Sequence, residues 1–67
     1  MKFLPEVDRE STLLTENEAA LRLRLTPTTL RHWRRKGQGP KYCLIGTRAI
    51  RYRLGDIDAF IRPQEVN

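Results

Sequence analysis

The sequence predicts a small α+β domain in which two short helices precede a β-hairpin and a third helix follows it. Three observations lead to this expectation. A capped helix with one apolar and one cationic side occupies residues 26–37, two short runs of β-branched and aromatic residues come next, and helical spacing of apolar residues returns at Leu54. A chain of 67 residues has room for one small core and little for a catalytic cavity.

A capping box predicts the first helix. Thr15 and Glu18 have the three-residue spacing at which a side chain and the backbone cap each other, and the helix is expected to run to about Leu23. Residues 1–12 mix charges with proline and show no period, so we expect a flexible N-terminal arm. A turn of about three residues then leads to the second helix, which is the layout of a helix-turn-helix.

The second helix carries both of its end signals. Thr26 is a suitable N-cap, and Pro27 suits the first helical position because its missing N–H has no partner there anyway. Gly37 can adopt the left-handed conformation that ends a helix. At about 100° per residue, Leu30 and Trp33 share one side and are expected to pack in the core. The opposite side carries Thr28, Arg31, His32 and Arg35.

A β-hairpin is predicted from residues 42–45 and 49–52, which follow a Gln-Gly-Pro breaker. Gly46-Thr47-Arg48 joins the two strands, so Thr47 and Arg48 are expected at the tip. Alternation along the second strand places Arg51 and Arg53 on its outer face.

The chain is expected to end in a third helix. Apolar residues recur at helical spacing from Leu54 to Ile61, and Pro63 ends the pattern. The folded domain is therefore expected over residues 13–62, with residues 63–67 as a C-terminal tail.

Positive charge is concentrated in the middle of the chain. The formal net charge is +5, no acidic residue lies between Glu18 and Asp56, and ten of the 13 Lys and Arg residues fall in that interval. Such segregation predicts one positive surface, for which double-stranded DNA is the expected partner. The ten cations are Arg22, Arg24, Arg31, Arg34, Arg35, Lys36, Lys41, Arg48, Arg51 and Arg53.

Composition also argues against a disulfide, a metal site, enzymatic activity and membrane contact. A lone Cys43 excludes an internal disulfide and is expected to be a small buried hydrophobe, and no Cys/His cluster is present for a metal. His32 has neither a cysteine nor paired carboxylates near it in sequence, so we expect no enzyme, no metal and no cofactor. Without a membrane-spanning run or a signal-peptide core, a cytoplasmic protein that makes no membrane contact is expected.

Several short motifs between residues 13 and 61 together form a specific pattern. They are Leu14-Thr15, Glu18-Ala19-Ala20, Leu25-Thr26-Pro27, Leu30 with Trp33, Gly37, Pro40, Gly46, Arg51-Tyr52, Asp56-Ile57 and Ala59-Phe60. This pattern resembles the MerR-like winged helix-turn-helix domains of phage and mobile-element excisionases. The resemblance implies a non-catalytic recombination directionality factor that binds repeated sites, bends the DNA and directs a tyrosine integrase towards excision.

One position departs from the family's pattern. The family usually has glycine in the turn between the helices, and this chain has Arg24. A non-glycine residue at positive φ costs on the order of 1 kcal/mol, so either the turn differs slightly or the cost is accepted. If it is accepted, the extra cation either contacts a phosphate or points to solvent.

Roles in DNA binding follow from position. Thr28, Arg31, His32 and Arg35 are expected to read base edges in the major groove. Thr47 and Arg48 are expected to enter the minor groove, since a narrow A·T-rich groove attracts arginine. Contacts to the DNA backbone are expected from Arg24, Thr26, Arg34, Lys36, Arg51 and Arg53.

Two other functions stay open. One is a small transcriptional regulator of a phage or mobile element, and the other, of a different class, is an antitoxin-like or inhibitory protein-interaction module. The second is disfavoured because no exposed apolar or aromatic anchor is evident in the sequence. Since no dimerisation helix follows Pro63, we expect a monomer that binds tandem sites through cooperative contacts between neighbouring copies.

Overall fold

The computed structural model describes residues 9–66, which form three helices and a three-stranded antiparallel sheet. This architecture confirms the predicted α+β winged helix-turn-helix fold. The elements in chain order are β1 (Leu13–Thr15), α1 (Glu16–Leu23), α2 (Pro27–Arg35), β2 (Cys43–Ile45), β3 (Ala49–Arg53) and α3 (Leu54–Ile61), with short 3₁₀-helices at Arg9–Ser11 and Arg62–Gln64.

The predicted caps define the ends of α1 and α2. The hydroxyl of Thr15 accepts a hydrogen bond from the Glu18 N–H at 3.1 Å, and the Thr15 N–H donates to Glu18 Oε1 at 2.8 Å. The hydroxyl of Thr26 accepts from the Thr29 N–H at 3.2 Å. Gly37, at φ 71°, follows the last turn of α2 as predicted. Local signals in the sequence therefore fix where both helices begin and where α2 ends.

The turn between α1 and α2 accepts a left-handed arginine. Arg24 has φ 59° and ψ 37°, and its N–H donates to the last carbonyls of α1, with a distance of 3.0 Å to the Leu21 oxygen. The Leu25 N–H donates to the Ala20 carbonyl at 2.8 Å. Because these carbonyls have no partner within the helix, the left-handed residue satisfies them at some cost in backbone strain.

The central strand β3 pairs with both other strands. Tyr52 faces Leu14 of β1, and Ile50 faces Leu44 of β2. The sequence predicted the β2–β3 hairpin but not β1, because three residues are too short to show an alternating pattern. The Leu54 N–H donates to the Thr12 carbonyl at 2.9 Å, so β1 and its approach are tied to the start of α3.

The folded region extends beyond the boundaries that the sequence predicted. Residues 9–12, assigned above to the flexible arm, pack against α3, and the Cβ of an alanine at position 55 would lie 2.9 Å from Glu10 Cβ. Gly55 therefore permits this close approach. Residues 1–8, the remainder of the predicted arm, lie outside the described residues, and the predicted tail begins inside the 3₁₀-helix at Arg62–Gln64.

The core is small and lies between the sheet and the three helices. Its buried side chains are Ala19, Ala20, Leu30, Tyr52 and Ile57. The two alanines let α1 and α2 approach closely. Trp33 packs against this core, as predicted, with its ring centroid 5.7 Å from that of Phe60. Cys43 is only partly buried, because β2 is an edge strand with one side open to solvent.

We predict that Arg24→Gly stabilises the domain and that Arg24→Ala does not. Both variants lose the same charge, but only glycine adopts positive φ without strain, so the free energy of unfolding should be about 1 kcal/mol higher for Arg24→Gly than for Arg24→Ala. Urea unfolding followed by circular dichroism measures this difference. Equal stabilities would show that the left-handed turn carries no strain.

Candidate nucleic-acid interface

One face of α2 presents the side chains that the sequence assigned to base reading. Thr28, His32 and Arg35 are exposed, and 43% of the Arg31 side chain is exposed. Leu30 is buried on the opposite side. From Thr28 to Arg35 the face is one heptad, or about 10 Å, long. The structure places these four residues together as predicted, and their contact with bases remains a prediction.

The hairpin of β2 and β3 lies beside the start of α1. Its tip is a turn at residues 46–48 in which Gly46 has φ 67°, and Thr47 and Arg48 are exposed there. A surface depression connects the hairpin with the helices. It is lined by Thr15, Glu16, Asn17, Arg34, Arg48, Ala49, Ile50 and Arg51. Arginines from α2 and from the hairpin therefore lie around one shared depression.

A single carboxylate joins two arginines of α2 at this depression. Glu16 Oε1 lies 3.3 Å from Arg31 Nη2, and Glu16 Oε2 lies 3.3 Å from Arg34 Nη2. Glu16 is in the first turn of α1, where the helix dipole favours an anion. Only 16% of its side chain is exposed. The interface is therefore not uniformly positive, although the central stretch of sequence is free of acids.

Arg34 is largely buried against aromatic residues, which the sequence did not indicate. Its side chain is 21% exposed, and its guanidinium lies 5.8 Å from the centroid of the Tyr42 ring. Burial raises the pKa of the Tyr52 hydroxyl, the charge of Glu16 raises it further, and the charge and hydrogen bond of Arg34 oppose the rise. Arg34 therefore interacts with the interior of the domain, and its contact with the DNA backbone stays a prediction.

The other residues expected at the DNA backbone lie on three elements. Arg24 and Lys36 are exposed at the ends of α1 and α2, and Arg51 lines the depression, with Nη1 donating to the Ile50 carbonyl at 2.7 Å. The Thr26 hydroxyl is engaged as the cap of α2. Arg53 lies two residues after Arg51 on the same face of β3, with its Nη1 3.8 Å from Asp56 Oδ2 at the start of α3.

Sequence reasoning missed Glu16 and Asn17 as residues of this site. Both line the depression, but they belong to α1 and meet α2 and the hairpin only in the folded chain. The contacts of Glu16 with Arg31 and Arg34 join residues 15 and 18 positions apart in sequence. No local spacing signals such a pair, so only a prediction of how α1 packs on α2 could have found it.

Exposed apolar residues correct another expectation. The sequence showed no evident anchor for a protein partner, yet β2 exposes 55% of Leu44 and 49% of Ile45, and the adjoining Tyr42 is also exposed. On α1, Leu21 is 68% exposed. The expectation was wrong because the strand pattern does not reveal that β2 lies at the edge of the sheet. Leu44 and Ile45 point to opposite faces of β2, and these exposed side chains, here called the apolar strip, are available to a protein partner along the edge of the sheet.

Residues 9–66 were compared with the requirements of a metal site and of a membrane span. Within that range, no group of three or more His, Cys, Asp and Glu residues is arranged to hold a metal ion. No helix in this part of the chain has the length and apolarity needed to span a membrane.

The chain matches a known protein family. The model of a family described as a helix-turn-helix domain matches residues 13–65, which include all three strands and all three helices. No curated protein and no solved structure matches the chain.

We predict that the adjacent residues Arg34 and Arg35 differ in their effect on stability. Arg34→Ala should lower the free energy of unfolding by about 1–3 kcal/mol, because it leaves Glu16 with one partner fewer in a poorly solvated position. Arg35→Ala should change it by less than about 0.5 kcal/mol, since Arg35 is exposed. Thermal or urea unfolding of both variants checks this. An Arg34→Ala variant as stable as the wild type would contradict the structural position of Arg34.

Proposed function

The chain belongs to the helix-turn-helix domain family, and on this premise we propose that it is a sequence-specific DNA-binding excisionase. The family supports DNA as the partner, and helix-turn-helix DNA-binding domains are typically non-enzymatic. The observation that carries the proposal is the exposed polar and cationic face of α2 beside a hairpin with a basic tip. A helix of this kind fits the major groove, and the hairpin can then reach the flanking backbone or minor groove.

Within this proposal, the contacts divide into three kinds. Thr28, Arg31, His32 and Arg35 read base edges, and Thr47 and Arg48 enter the minor groove. Phosphates are contacted by Arg24, Lys36 and Arg51, and by the chain around Thr26. Arg34 and Arg53 are also proposed as backbone contacts, and each has in addition an ion pair within the domain, with Glu16 and Asp56 respectively.

The finer assignment to recombination has separate support. The sequence resembles MerR-like excisionase domains, and the matched family is associated with excisionase-like proteins. On this assignment the chain bends attachment-site DNA in the cytoplasm and directs a tyrosine integrase towards excision. A small transcriptional regulator would use the same interface, so the two functions differ in partner and not in DNA contacts. An integrase gene beside the gene of this chain would favour excision.

The exposed apolar strip favours a protein contact in addition to DNA. Leu44 and Ile45 lie on edge strand β2, whose outer side has no paired strand within residues 9–66. We propose that this edge contacts the neighbouring copy or the integrase when the chain is bound to DNA. A protein-interaction module would use the same strip. If the wild-type chain bound no duplex DNA, that class of function would be favoured.

We expect selection from randomised duplexes to enrich one sequence, here called the selected duplex. Affinity for it should fall as log salt rises, with a slope of about −0.9 for each phosphate contacted. Arg35→Ala and Arg31→Ala should weaken the selected duplex by about 1–3 kcal/mol and a random duplex much less. Arg51→Ala should weaken both duplexes about equally. Fluorescence anisotropy on both duplexes measures these changes.

Arg62→Ala is the matched control, because it removes the same charge from the exposed 3₁₀-helix that follows α3 and should affect both duplexes little. Affinity that does not depend on salt would contradict DNA binding altogether. Equal losses on both duplexes for Arg31→Ala, Arg35→Ala and Arg51→Ala would move Arg31 and Arg35 to the phosphate contacts.

We also expect a monomer in solution that binds tandem copies of the selected duplex cooperatively and bends them. One module buries only about 600–1,000 Å² on DNA, so neighbouring copies would supply the remaining selectivity. Leu44→Ser should lower cooperativity without changing affinity for a single site, whereas Leu21→Ser, the same change at a more exposed leucine on α1, should leave both unchanged. Sedimentation, and gel shifts on one, two and three sites, give these values. A stable free dimer, or independent occupation of adjacent sites, would refute this assembly.

A further inference from the structure

We propose that Glu16 is a positioning residue that determines specificity by holding the Arg31 guanidinium in one orientation for base reading. The inference rests on the proposed DNA binding and adds a residue from α1 to it. Glu16 keeps Arg31 from turning to the nearest phosphate on any DNA, while leaving donors of the same guanidinium free for a base on the preferred DNA.

The Glu16 carboxylate is held in place by the domain, whereas the Arg31 guanidinium that it contacts is exposed. Glu16 lies in the first turn of α1, only 16% of its side chain is exposed, and Arg34 holds its Oε2 at 3.3 Å. Arg34 is itself held against Tyr42 and interacts with the buried Tyr52. The carboxylate is therefore anchored to the core. Arg31 is 43% exposed, and its Nη2 lies 3.3 Å from Oε1 of this anchored carboxylate.

The hydrogen-bonding capacity of arginine makes a shared contact possible. A guanidinium has five N–H donors, and a bidentate contact to guanine uses two of them. A contact with Glu16 through Nη2 is therefore compatible with a base contact through the other donors. Holding the side chain in advance also reduces the conformational entropy that is lost when the base contact forms.

The same carboxylate acts against non-selective binding. Arg48 and Arg51 line the depression with Glu16, whereas Arg31 is the arginine that pairs with Glu16 Oε1. On a random duplex, an unrestrained Arg31 could rotate to a phosphate and add a contact that any sequence offers. Pairing with Glu16 removes that option, so specificity increases because the non-selective contact is weakened.

Glu16→Gln in the full chain tests this, with Asp58→Asn as the matched control. Both variants raise the net charge by one and remove a carboxylate from an ion pair, but Asp58 pairs with Arg22 at 3.2 Å on another surface. Glu16→Gln should bind a random duplex about fivefold more tightly, should not bind the selected duplex more tightly, and should gain about 0.9 in salt slope on the random duplex. Asp58→Asn should change both affinities by one common factor. A Glu16→Gln variant that follows the control would overturn the proposal.

A double-mutant cycle shows whether Glu16 acts through Arg31. In an Arg31→Ala background, Glu16→Gln should change both affinities equally and leave their ratio unaltered, because no side chain is left to position. If Glu16→Gln still lowers the ratio there, the carboxylate acts as a general repulsive charge and the positioning role is wrong.

A measurement on the wild-type chain covers the case in which Glu16→Gln does not fold. Arginine side-chain NMR of the free protein should show resolved, slowly rotating Nη groups for Arg31, as expected for a restrained guanidinium, and averaged ones for the exposed Arg35. A freely rotating Arg31 would overturn the proposal. If selection enriches no duplex, the proposed sequence-specific DNA binding is wrong. The NMR spectrum still decides, independently of DNA, whether Glu16 restrains Arg31.

Discussion

Burial of Tyr52 on the central strand is the interaction on which the rest of the domain depends. Tyr52 is 1% exposed, and its strand pairs with β1 on one side and β2 on the other before leading directly into α3. Its ring centroid lies 6.1 Å from that of Tyr42, beyond the breaker that follows α2. The buried side chains of residues 9–66 form one small cluster. The position of the hairpin relative to α2 therefore depends on how Tyr52 packs in that cluster.

The same residue connects the core with the charged surface. Burial together with the charge of Glu16 raises the pKa of Tyr52, and Arg34 acts in the opposite direction, so the three groups form one electrostatic unit. A carboxylate between arginines reduces the net positive potential of the depression but fixes the geometry of its cations. For a DNA-binding surface, total charge governs how tightly any duplex is held, whereas fixed geometry governs which duplex is preferred. The partial neutralisation is therefore consistent with selective rather than general binding.

The parts of the structure that could be predicted from sequence are those set by local chemistry. Thr15 with Glu18, and Thr26 with Pro27, define helix starts through contacts within four residues, and Gly37 ends α2 in the same way. What could not be predicted depends on contacts between distant segments. Strand β1 exists because β3 pairs with it, and the Glu16 contacts exist because α1 packs on α2. The exposed face of α2 could be predicted because helical periodicity is local, and its role in reading DNA stays a prediction. The carboxylate of Glu16 beside this face has no local signal.

The edge of the hairpin gives the last constraint on how such a domain can act. An exposed edge strand with Leu44 and Ile45 is a liability for a free protein, because unpaired backbone groups and apolar side chains promote association. A basic tip at Arg48, joined directly to this strand, provides charge repulsion between free copies. DNA would remove that repulsion by neutralising the cations of adjacent copies, so the apolar edges could then approach. In the proposed assembly, this arrangement of charge and apolar surface on one hairpin would make contact between copies depend on a polyanion, which is the property that assembly confined to DNA requires.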